Sequence, residues 1–255
     1  METKVKEHPI LFSGAMVRAL LNGTKTQTRR IIKVQPDNEY YRISTLLSTT
    51  GDRRNEGRHF WGRYNAIGNS LLSRSEGYFP CPYGHPGDRL WVRETHTWYP
   101  GDEKEPAGWI YRADADGPTQ MWVHFGPGWK PSLFMRREVS RLLLEITAIR
   151  CERLQDISEA DAIAEGIQTL FSAQEIATTN PPLPFATPAD SGWRNYLWHG
   201  NPELTTIKKA EWAHQYSSYT KPVDSYSSLW ASINGAGSWE ANPWVWVVEF
   251  KQIAA

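Results

Sequence analysis

The chain lacks an excess of either charge: lysine plus arginine and aspartate plus glutamate both number 28 over 255 residues. Whole-chain charge therefore predicts no polyanion partner, and a nucleic-acid surface would have to be a local patch. Cysteine is scarce, with only Cys81 and Cys151. A disulfide framework is not indicated, and a reducing cytoplasm is the expected setting. The N-terminal METKVKEHPILFSG holds no long apolar run, so neither a signal peptide nor a membrane span is expected. Metal-ligand spacing is lacking as well. "CPYGH" pairs Cys81 with His85, but nothing around Cys151 supplies a second pair. A Pro/Gly turn with a packed cysteine accounts for that stretch, and no metal or cofactor is expected. There is no internal repeat.

Tryptophan, by contrast, is abundant, with 13 in the chain. Most are expected as half-buried anchors, and some as rings on which a base could stack. Residues 9–23, "PILFSGAMVRALLNG", read as a helix capped by Ser13, with Val17, Leu20 and Leu21 on one face and Gly23 as its stop. A strand is expected at Arg89 to Thr95, and a hairpin within 100–131 turning at "ADG". "SRLLLEITAIRCERL" is the strongest strand signal, with Leu142, Leu144, Ile146 and Ala148 on one face. "DISEADAIAEGI" follows as a helix, with Ser158 and Asp161 as a capping box and Gly166 as its stop. "NPWVWVVEFKQI" is the closing strand, Trp244, Trp246, Val248 and Phe250 alternating with Val245, Val247 and Glu249.

Two stretches, 34–80 and 168–222, have no sustained periodicity; the first reads as an insertion or long loop rather than a core element, and the second as an insertion with a possible helix at Leu204 to Tyr216. Strands outnumber helices. The expected fold is α+β: a single domain over 1–255, built as a small mixed barrel with flanking helices and large irregular insertions.

The segment with most chemistry is "LLNGTKTQTRRII", residues 20–32. It has two readings. In one, Lys25, Thr28 and Arg30 belong to a solvated edge strand. In the other they floor a small polar pocket. Burial would favour the neutral amine of Lys25, a base near neutral pH. Thr28 would be a nucleophile or a hydrogen-bonding group. A spacing of three puts Lys25 and Thr28 on opposite faces of a straight strand, so the second reading requires a bend. Glu165, in the last turn of its helix, is placed where the macrodipole disfavours a carboxylate, which suits a proton shuttle. A solvated Glu before a Gly stop is the plain alternative.

These pieces together resemble the ASCH domain family of the PUA-like superfamily. "NGTKTQTRR" matches its G-x-K-x-x-x-x-R signature, and "PGDRLWVRE" is similar to its G-D-x-L strand. "EITAIRCERLQDISEADAIAEGI" resembles its strand followed by a glutamate-bearing helix, and "WVWVVEFK" its closing strand. The resemblance covers about half the chain. It implies a PUA-like barrel. In the short bacterial members that hydrolyse N4-acetylcytidine, a K-x-x-T pair and a helix glutamate match Lys25, Thr28 and Glu165. It thus implies a metal-free amidohydrolase acting on N4-acylcytosine nucleosides or a related modified base. Arg30 would stabilise the oxyanion or orient Glu165, and Trp129, in a loop, would wall the pocket. The longer phage and prophage ASCH-like proteins resemble the whole chain more closely. Other members imply an RNA- or modified-DNA-binding module, or a ribonuclease.

For that alternative, "RRNEGRHFWGRYN" interleaves Arg53, Arg54, Arg58 and Arg63 with Trp61 and other rings. Cations with stacking rings are what a single-stranded nucleic-acid surface needs. A solvated loop with a few apolar anchors explains the same letters.

Overall fold

The computed structural model describes residues 5–36, 41–45, 58–64, 67, 70–74, 78–103, 106–114, 128–171, 177–178, 188, 192–196 and 218–254. The architecture is mixed α+β, mostly sheet with few helices. The chain divides into two compact units. One comprises residues 1–13, 29–152 and 244–255, and the other 14–28 and 153–243. Among the described residues, no helix is long and apolar enough to cross a membrane.

In the first unit the main sheet runs β1–β6–β9–β12–β2 in spatial order, and among the described residues it does not close into a barrel. Its strands are β1 (Glu7–Leu11), β2 (Gln27–Ile31, entering from the second unit), β6 (Arg89–Arg93), β9 (Leu143–Arg153) and β12 (Trp244–Ile253). β1 lies parallel to β6, and β6 antiparallel to β9. β12 has the period-two pattern expected of it, yet Val245, Trp246, Val247 and Val248 are all buried. A strand covered on both faces reads as a continuous apolar run, which is why this segment carries so few polar residues.

The stretch 34–80 contains a second sheet, of β3 (Tyr41–Thr45), β4 (His59–Tyr64) and β5 (Leu71–Arg74), all antiparallel. The expectation of a loop without a core element is corrected here. Phe60 and Trp61 of β4 are buried. The Trp61 ring packs on Phe79 and Trp244, at centroid distances of 5.7 and 5.4 Å, and its indole N–H donates to the Val34 carbonyl at 2.8 Å. Burying an indole of ~150–250 Å² contributes about 4–6 kcal/mol. Three apolar rings within a polar stretch gave periodicity too little to register. Of the hairpin expected within 100–131, only the first strand falls on described residues. β8 (Gly108–Tyr111) pairs backwards with β7 (His96–Tyr99), and a 3-10 turn follows at Arg112–Asp114. The "ADG" of the expected turn, residues 115–117, lies outside the described residues.

The second unit holds α1 (Gly14–Leu21), α2 (Glu159–Ala164), the short pair β10 (Trp193–Arg194) and β11 (Ser218–Tyr219), and α3 (Pro222–Asn234). In α1 the buried residues are Val17, Ala19 and Leu20, while Leu21 is exposed. Ser158 caps α2 by accepting from the Asp161 N–H at 3.1 Å, as its spacing predicts. α3 was not foreseen. Pro222 opens it and Gly235 closes it, but its serines weaken helix propensity. Ser228 and Ser232 satisfy their hydroxyls on carbonyls three residues back, and Ser225 donates to the Arg194 carbonyl. The helix expected at 204–216 falls outside the described residues.

Candidate active site

The second unit gathers the conspicuous polar residues. α1 ends at Leu21, and Gly23 turns the chain at φ +72°, a conformation that favours glycine. The turn brings two successive N–H groups, of Thr24 and Lys25, onto the Ala19 carbonyl at 2.9 and 3.1 Å. Helix-end carbonyls need such partners. The chain then runs antiparallel to the end of α2: Lys25 bridges Glu165, and the Thr26 N–H donates to the Ala164 carbonyl at 2.9 Å. β2 begins only at Gln27. Lys25 and Thr28 therefore do not share one straight strand.

Lys25 is 2 % exposed and Glu165 3 %. The ammonium donates to the Glu165 carbonyl at 2.7 Å and to its Oε2 at 3.1 Å. One residue thus receives a lysine through both main chain and side chain. Gly166, next in sequence, makes this seat possible. Its φ is +81°, and a Cβ there would stand 2.8 Å from both Lys25 Cβ and Ala19 Cβ. Gln27 adds a second tie from β2 to α2, donating to the Asp161 carbonyl at 3.0 Å.

Thr28 is fully buried, and its hydroxyl has no hydrogen-bond partner. A buried unmet hydroxyl costs about 1–3 kcal/mol. Lys25 and Glu165 are brought together; the Thr28 hydroxyl is within hydrogen-bond reach of neither. The exposed edge strand expected by the plain reading is not what forms, because Gln27, Thr28 and Arg29 are consecutive buried positions.

The other candidates lie in the first unit. Arg30 donates to the Leu11 and Arg29 carbonyls at 2.9 and 3.2 Å and stands over the Phe12 ring at 5.3 Å. Those contacts tie β2 to the end of β1. Trp129 is half-buried. Arg58 and Arg63 are exposed, whereas Trp61 is 1 % exposed and cannot offer its face to a base. Arg53 and Arg54 lie outside the described residues. Cys81 and Cys151 are free thiols. Burial pushes Cys81 up to about 11 and raises Cys151 as well, so neither is a ready thiolate.

Sequence reasoning passed over Arg29. Its guanidinium is buried against Glu152, whose second oxygen accepts from Arg150 at 3.1 Å, and Arg150 in turn pairs with Glu249. This ladder crosses β2, β9 and β12. The signal for it was present as Arg, Glu and Glu within three strand-like segments, but strand order is needed to pair them. Comparisons of the chain with protein-family models, with curated proteins and with solved structures return no match.

Proposed function

We propose that the chain is an ASCH-type amidohydrolase of the PUA-like class. Its substrate would be an N4-acylcytosine nucleoside or a related modified base, with Lys25 and Glu165 as the proton-transfer pair. The observation that carries this reading is the buried Lys25–Glu165 contact across 140 residues, closed over by Gly166. A lysine and a carboxylate can exchange one proton, which an arginine–carboxylate pair cannot.

In the mechanism, the neutral amine of Lys25 takes a proton from an attacking water. The new C–O bond forms at the acyl carbon, and the C–N bond then breaks. Glu165, protonated, gives its proton to the departing cytosine amine, releasing the carboxylic acid and the nucleoside, and Lys25 then passes its proton to Glu165. Water is the better nucleophile on this geometry, because the Thr28 hydroxyl is not held by Lys25. Thr28 instead offers its unmet hydroxyl to the substrate. Since all three residues are buried, substrate entry has to loosen the Lys25–Glu165 contact, exchanging that pair for contacts with the acyl group. The test is incubation with N4-acetylcytidine while following absorbance. Turnover is expected, and an active preparation in which Glu165→Gln cleaves at the wild-type rate would refute the assignment.

A further inference from the structure

The first unit contains a concavity of about 570 Å³, and none of Lys25, Thr28 and Glu165 lines it. Its size falls in the roughly 300–1,000 Å³ range of small-molecule sites. His96, Trp109, Lys130, Phe134, Arg136 and Glu138 line it. Trp109 is 38 % exposed, yet its ring is held edge-on to Trp98 at 5.0 Å and to His96 at 5.5 Å. Phe134 is 68 % exposed. Rings fixed by neighbours but open on one side are stacking platforms.

The polar groups around these rings are distinct in kind. His96 is only 2 % exposed, and its Nδ1 lies 3.1 Å from the Glu94 carbonyl. A carbonyl oxygen only accepts, so Nδ1 is the donor, and the tautomer that fits this contact offers Nε2 as an acceptor. Lys130 is exposed, its backbone paired with His96 in both directions, and among the described residues its ammonium forms no ion pair. Arg136 meets Glu138 at 3.9 Å, both at the surface. Such an exposed pair is weak and yields readily to another anion.

We propose that this concavity binds a nucleotide. The base stacks on Trp109, an N–H of the base donates to His96 Nε2, and the phosphate is held by Lys130 and Arg136. This site is independent of the deacylase reading. The same chemistry is offered by a free mononucleotide and by one residue of a single strand.

Calorimetric titration of the full chain at low salt tests it, with adenosine 5′-monophosphate and cytidine 5′-monophosphate as probes. Saturable binding is expected, much weaker for adenosine or for ribose 5-phosphate, each lacking half of the recognition. Trp109→Ala should weaken binding by about tenfold or more. Lys130→Gln, at an exposed position that leaves folding intact, should weaken it several-fold and flatten its salt dependence. A single-stranded tetranucleotide binding far more tightly than the monophosphates would assign the site to a strand, and equal binding would assign it to the free nucleotide. No binding of any probe at millimolar concentration, or unchanged affinity in Lys130→Gln, would overturn the proposal.

Discussion

Lys25 and Arg29 stand four positions apart in one short segment, and each is buried against a carboxylate. The two arrangements nevertheless differ in kind. Arg29 belongs to a ladder in which both oxygens of Glu152 are taken, one by Arg29 and one by Arg150. A guanidinium does not give up its proton, so this ladder can only hold strands together. Lys25 donates to both the main-chain carbonyl and the carboxylate of Glu165. A lysine, unlike an arginine, can give up a proton. Burial and pairing alone therefore do not separate a group suited to proton transfer from a structural cation; the identity of the cation does.

The largest expected difference is in rate. Lys25→Met should lose N4-acetylcytidine cleavage by at least ~100-fold, the contribution of a positioned base. Arg29→Met should keep the rate per folded molecule near wild type and lose about 3–5 kcal/mol in urea unfolding, because Glu152 loses a buried partner. Lys25→Met also strands Glu165. Adding Glu165→Gln should restore stability without restoring rate, which separates the two roles. An active Lys25→Met with an inactive Arg29→Met would reverse the comparison.

Next comes the seat of the lysine. Gly166→Ala forces a Cβ into Lys25 and Ala19 at a positive φ, so a loss of about 1–3 kcal/mol is expected in thermal melts. Wild-type stability in this variant would mean that α2 does not press on Lys25 as described. Thr28→Val should do the opposite to stability. Removing an unmet buried hydroxyl at nearly constant shape should raise stability by about 1 kcal/mol while lowering turnover. A variant both less stable and fully active would show the hydroxyl to be structural.

The smallest effect expected is a pH dependence in the first unit. Burial, with His85 nearby, lowers His59 from its ordinary value to about 4. The unfolded chain therefore takes up this proton first as pH falls. Stability from His59 is complete above pH ~6.5 and is lost as pH drops from there through about 4. His59→Phe should flatten that part of an unfolding-midpoint profile. An unchanged profile would show that His59 is not the group responsible.

Some of this was legible in the letters. Ser158 three residues before Asp161, glycines at 23 and 166, and the apolar alternation at 244–250 act through neighbours a few residues away. They marked α1, α2 and β12. Other elements were hidden because their partners are remote. The polar stretch 34–80 forms a sheet once Trp61 finds Phe79 and Trp244. β8 found its partner upstream at β7. Serines that weaken an isolated helix are tolerated in α3, where they bond to nearby carbonyls. Arg30, prominent in the matched signature, turned out to serve the strand ends.

By itself, then, the sequence determined where helices stop, which strand closes the chain, and that Lys25, Thr28 and Glu165 were worth bringing together. Caps, turns and periodicity are local and carry that much. Tertiary structure alone decided that Lys25 meets the carbonyl and the Oε2 of Glu165, that the Thr28 hydroxyl is left without a partner, and that Arg29 pairs with Glu152. Those outcomes depend on contacts 123 to 140 residues apart in the chain. At such separations burial and strand order, rather than neighbouring letters, choose the partner.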